Sequence, residues 1–183
     1  MTERLTSLWL GIVAGWLLFW LLSGWLAPAP AAGLGLGLGV AGVHVLRESR
    51  AVAGAVAVLE PVGVVLPLLA LWQMARVSGL ALPQLSTQVL ALYLVAHVAF
   101  LAASMGVVRA EPYRAGYAPG PVAIMVLAAC GIGWIAGTPL IPVVAVAGQA
   151  LWGRGWGSSN WFDHVLHATL VPVAAIALLL RLL

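Results

Sequence analysis

Lysine is missing from this 183-residue chain altogether, and charge of either sign is scarce. Eight arginines and five carboxylates make up only 7% of the residues. Such a chain has no means of covering itself with a charged, water-facing surface, which excludes an ordinary soluble globule. The arginines stand singly or in pairs between apolar runs and do not cluster with aromatics, so a nucleic-acid surface is excluded as well. Cysteine occurs once, as Cys130 inside an apolar run. A disulfide framework, a CxxC redox pair and a thiolate metal cage therefore cannot be built within one chain. The sequence contains no GxSxG, no HExxH and no P-loop.

What is present is apolar: 63% of residues are hydrophobic and the mean hydropathy is +1.10. Uncharged stretches such as 8–27 and 85–108 reach the roughly 20 residues that a bilayer core requires. Everything that spans must be helical, because an open sheet leaves backbone groups unpaired in lipid. The expectation is one all-α domain over residues 1–183, a polytopic membrane helical bundle. Its spans are expected near 8–27, 31–46, 51–75, 85–108, 119–136 and 161–183. A short apolar piece lies at 139–152. As a single helix, 119–152 would be about 51 Å long, far beyond a hydrocarbon core of about 30 Å. Gly137-Thr-Pro139 and Pro142 must therefore turn the chain. Either 139–152 returns as a seventh transmembrane helix, or six helices span and this piece is interfacial or re-entrant.

The first apolar stretch imitates a signal peptide, with Arg4 before it and Ala27-Pro-Ala-Pro-Ala-Ala-Gly33 after it. Its length and its tryptophans (Trp9, Trp16, Trp20, Trp25) argue instead for an uncleaved span. Gly33-Leu-Gly-Leu-Gly-Leu-Gly39 holds overlapping GxxxG patterns, and Gly37–Gly42 reads GxGxxG. A dinucleotide fingerprint needs a strand before it, which this span cannot contain, so the glycines are read as close helix contacts. Pro172 is expected to kink the final helix.

Ionisable groups inside apolar spans are costly and mark candidate sites. The chain has four histidines, His44, His97, His164 and His167. In Asp163-His-Val-Leu-His167 the two imidazoles are three apart, which on a helix lets them aim at one point. Asp163 then sits at the helix start, where its charge suits the dipole. His97 lies in the middle of its span, and His44 lies near the end of another. Glu60 is followed by Pro61, which frees a backbone carbonyl one turn earlier and puts a carboxyl beside irregular backbone. Asp163 and Glu60 are the candidate catalytic carboxylates.

Three chemistries fit this set. The four histidines could hold a divalent metal (Zn or Fe) in a membrane-embedded hydrolase-type enzyme acting on a lipid-soluble substrate. His97 with His164 or His167 could instead ligate haem b for electron exchange with quinone. Or Glu60 and a histidine could serve a small proton-coupled transporter, or merely knit together an accessory subunit of a larger membrane complex. The partners expected are the bilayer, a lipid-soluble small molecule or quinone, and further membrane subunits or a second copy, without nucleic acid. Seven spans would place His44, Glu60, Asp163, His164 and His167 toward one depth, so seven is the expected number.

Arginine placement predicts a multi-pass protein of the cytoplasmic (inner) membrane with its N-terminus in the cytoplasm. Reporter fusions in the Arg47–Arg50 and Arg109–Arg114 loops should both report the cytoplasmic side. Cysteine labelling across 153–160 should give cytoplasmic access for seven spans. A periplasmic signal from the Arg109–Arg114 loop contradicts the orientation.

Overall fold

The computed structural model describes residues 2–59, 63–107 and 109–182. Among them every regular element is helical and no strand occurs. The order is α1 (Thr2–Leu22), α2 (Pro28–Val45), α3 (Arg50–Leu59), α4 (Val65–Val77) and α5 (Thr87–Ser104). A short 3-10 helix (Pro112–Tyr117) follows, then α6 (Pro119–Ile135), α7 (Leu140–Gly153), α8 (Trp161–Val165) and α9 (Leu170–Leu182). Among the described residues, four helical stretches are long and apolar enough to cross a membrane: Glu3–Leu22, Pro28–Val45, Thr87–Ser104 and Trp161–Arg181. Bulky apolar side chains point outward on most elements, Trp134 and Ile135 almost completely.

Proline sets where several helices begin. Pro30 in α2, Pro67 in α4, Pro121 in α6, Pro142 in α7 and Pro172 in α9 each occupy the third helical residue. The first four amides of a helix have no intrahelical acceptor, so a ring nitrogen there costs no hydrogen bond. This corrects the expectation of a kink at Pro172. The last apolar stretch does not bend at the proline but breaks one turn earlier, at residues 166–169, and restarts as α9. The stretch expected as one span over 51–75 is likewise two helices, α3 and α4, with residues 60–62 between them outside the described set.

The glycine-rich second helix packs on the first. Ala31, Gly35, Gly39 and Val43, four apart, form its buried stripe. A Cβ on Gly39 would run into the backbone of Gly11 and Gly15, and one on Gly35 into the backbone of Gly15 and Phe19. Close backbone approach is thus the use of these glycines. Ile12, Phe19, Ala31, Ala70 and Met74 close one core where α1, α2 and α4 meet. A second core joins Val64 and Val65 to Val122, Val126, Ala145, Trp161 and Val165. Residues 139–152 form a true helix buried at Leu140, Ala145, Gly148 and Leu151 and packed on α6, α8 and α4.

Gly39→Val should destabilise the protein by at least about 1–3 kcal/mol, the usual range for overpacking. Gly37→Val, whose Cβ meets nothing within 4 Å, should stay within about 0.5 kcal/mol of the parent. Thermal melting in detergent checks the pair, and equal melting shifts would contradict this packing.

Candidate functional site: the crossing of two interrupted helices

The two interrupted stretches meet at their breaks. A helix start carries amides without acceptors, and a helix end carries carbonyls without donors. Val64, the residue preceding α4, donates its N–H to the His164 carbonyl at the end of α8, at 2.8 Å. Each break therefore satisfies a polar group that the other leaves open, and irregular backbone is tolerated in an apolar interior on that condition. Gly63 makes the approach possible: a Cβ there would lie 3.0 Å from the His167 Cβ.

Histidines line this crossing. His167 lies in the non-helical link, with Nδ1 2.8 Å from the Thr169 hydroxyl and accepting from the Thr169 amide at 3.4 Å. It is also within reach of the Val58 carbonyl in the last turn of α3. His97 comes from α5 and is fully buried. Among the described residues neither of its ring nitrogens makes a hydrogen bond, and the Leu166 carbonyl in the α8/α9 link and His167 lie beside it. Tyr93, one turn away on α5, stands edge-on to the imidazole at 5.5 Å between ring centroids, and its hydroxyl is also buried with no partner among the described residues. Buried polar atoms without partners are rare and call for an explanation.

His164 is also fully buried, but its Nε2 is 3.1 Å from the Ser158 carbonyl. This corrects the shared-face reading of His164 and His167. α8 ends at Val165, so the three-residue spacing straddles a helix end and the two rings turn to different partners. His44 is exposed in the last turn of α2, and nothing described joins it to the other three. Among the described residues, no three His, Cys, Asp or Glu side chains converge as a metal-holding group. Glu60 and Pro61 lie outside the described residues.

Asp163 occupies the first turn of α8, as expected, but faces a clamp at one end of the molecule. The Tyr113 hydroxyl donates to its Oδ1 and Oδ2 at 2.9 and 2.8 Å, and the Ser158 hydroxyl donates to Oδ2. Asn160 caps α8 by accepting from the Phe162 amide at 2.9 Å, and its side-chain NH2 donates to the Tyr113 carbonyl at 2.8 Å. Gly116 leaves the space that the Asn160 side chain fills. Ser158 thus hydrogen-bonds a carboxylate through its hydroxyl and an imidazole only through its carbonyl, so it forms no nucleophile–base pair. Sequence reasoning missed Tyr113, Ser158, Thr169 and Gly63. Asn160 did carry a signal, since Asn directly before an apolar helix start is a favoured cap.

No family model, curated protein or solved structure matches this chain.

Burial first, and then the hydrogen bond to Asp163, raise the Tyr113 hydroxyl above the ordinary phenol value. A raised folded-state value means the stabilisation is whole below the unfolded phenol value of about 10 and is lost as pH rises through the folded one. Tyr113→Phe should lower stability at neutral pH by about 1–2 kcal/mol, the scale for a part-exposed hydrogen bond to a charged group. The gap between parent and variant should shrink steadily above pH about 10. Melting curves across that range check this, and a gap independent of pH would contradict it.

Proposed function

We propose that the protein is a seven-pass, proton-coupled transporter of the cytoplasmic membrane, with the N-terminus inside. His97 and His167 at the helix crossing take up and release the proton. One observation carries the reading: two interrupted helices are joined by a backbone hydrogen bond beside a buried histidine whose ring nitrogens have no partner among the described residues. Interrupted helices paired in the middle of a bundle are a recurring setting for ion-coupled transport, because the broken backbone supplies polar groups away from water. A buried imidazole without a fixed partner can change protonation when a neighbouring element moves.

Seven passes are supported from both ends of the final stretch. The Tyr113–Asp163 hydrogen bonds tie its beginning to the Pro112–Tyr117 turn. Arg181, at its far end, donates to the Leu85 carbonyl in the α4–α5 connection at 2.8 Å. That arrangement favours α7 as a pass of its own. It leaves Arg4, Arg47, Arg50, Arg109, Arg114 and Arg154 on the inner side, with Arg76 and Arg181 opposite, which agrees with the positive-inside rule. α3 and α4, about 15 and 20 Å long, make one pass together. The metal-hydrolase reading has no group of three or more metal-ligating side chains among the described residues to support it.

The test is proton movement into proteoliposomes made from a total polar lipid extract, under an imposed pH gradient. His97→Gln and His167→Gln keep size and polarity but cannot carry the proton, and each should cut the flux by about tenfold or more. Melting temperature should change little. A full flux with His97→Gln contradicts the proposal.

A further inference from the structure

From the helix crossing, α4 and α9 each run on to an arginine in the last turn, Arg76 and Arg181. Little direct contact joins the two helices. A cavity of about 480 Å³ lies between them, walled on its other sides by α5 and α7. On α4 its lining follows Val65, Leu69, Gln73 and Arg76, and on α9 it follows Leu170, Ala174, Ala177 and Arg181. Steps of three and four residues keep to one helix face. Each wall is therefore a stripe rising about 16 Å. Spread over that length, the volume describes a slot for one hydrocarbon chain, not for the two chains of a membrane phospholipid.

Polar groups gather at the arginine end. Gln73 stands one turn before Arg76 on the same face. The Trp72 indole donates to the Pro83 carbonyl at 3.0 Å and Arg181 donates to the Leu85 carbonyl at 2.8 Å. These two bonds fold the α4–α5 connection over this end, and Gln84 between them borders the slot. Trp16 offers the lining its ring alone, since its indole N–H is buried.

Among the described residues the side chains of Gln73, Arg76 and Gln84 make no hydrogen bond or ion pair, and all three retain accessible surface. The carboxylates of Glu48, Glu111 and Asp163 are engaged elsewhere. Arg181 is exposed and spends one donor on Leu85. Arg76 is partly buried and has no described counter-charge. One guanidinium at the mouth of an apolar slot, flanked by two carboxamides, calls for one negative charge, and its planar fork matches a carboxylate.

We propose that the slot binds a long-chain fatty acid as its carboxylate. The head lies between Arg76 and Arg181 beside Gln73 and Gln84, and the tail runs towards Leu166 at the crossing. This deepens the transport reading by naming its cargo. Movement of the fatty acid rests on that reading, while binding stands without it.

The full chain in phosphatidylcholine vesicles, at mildly alkaline pH and with no pH gradient, is labelled by a palmitate analogue carrying a photoreactive diazirine near its tail. The label should fall on the slot-lining face of α9 and be displaced saturably by palmitate. Hexadecanol, the same chain without the charge, should need about a tenfold higher concentration, the scale of a hydrogen bond to a charged group. Octanoate should compete far more weakly, because each methylene left out of the slot costs about threefold. Arg76→Gln and Arg181→Gln should each weaken palmitate while leaving hexadecanol unchanged, which separates loss of the head site from misfolding. Ala174→Phe, which fills the slot from a small wall residue, should weaken both. Equal potency of palmitate and hexadecanol, or palmitate binding unchanged by both arginine variants, overturns the proposal. Hexadecyl phosphate displacing the label better than palmitate overturns the carboxylate head. Proton flux without displaceable label contradicts only this proposal, and displaceable label without flux contradicts only the transport reading.

Discussion

One hydrogen bond organises the interior: the Val64 amide to the His164 carbonyl. In an apolar interior an unpaired backbone group costs several kcal/mol, so neither break would persist alone. Pairing the start of α4 with the end of α8 makes the two interruptions conditional on each other. The rest follows from that pairing. α8 is short because it must end where α4 begins, His167 falls in the link instead of on a helix, and Gly63 is small because His167 packs against it.

α5 shows what the crossing asks of its neighbours. Its apolar residues Leu92, Val95 and Val98 point outward, and His97 is its one buried residue. A soluble helix would be arranged the other way, with apolar residues inside. Burying an imidazole is unfavourable, and among the described residues no hydrogen bond offsets it here. The histidine stands beside the break, with Leu166 and His167 around it, which is why the proposed proton exchange is assigned there. At one end of the molecule, Tyr113, Asp163 and Asn160 are instead tied together by hydrogen bonds. The start of the final stretch is therefore tied down, and the irregular backbone follows directly after α8.

Much of this was legible in the sequence. Composition alone requires an all-helical, apolar bundle, and the Gly35/Gly39 spacing anticipates the close contact with α1. The turn at Gly137–Pro139 is visible from length and proline, and α7 forms as a separate helix after it. Two features were hidden for physical reasons. An apolar run does not reveal an internal break, because the signal is a proline that fits equally a kink or a restart. Pro67 and Pro172 are restarts because each falls on the third helical residue. The His164–His167 pair misled for the same reason, since three-residue spacing means a shared face only if the helix continues through it. The Asp163 partners Tyr113 and Ser158 had no signal in spacing, because long-range contacts of a loop leave no periodicity.

The meeting of the two breaks can be measured directly. Cysteines at Gly63 and His167, in a Cys130→Ser background, place two Cβ atoms 3.0 Å apart, within reach of a disulfide after a small outward shift. Mild oxidation of the reconstituted protein should consume both thiols, read by the loss of maleimide–polymer gel shifts. A control pair at Gly37 and His167 should keep both thiols free. If the Gly63–His167 pair stays as reactive as the control, the interrupted helices do not cross at their breaks, and the account of the site is wrong.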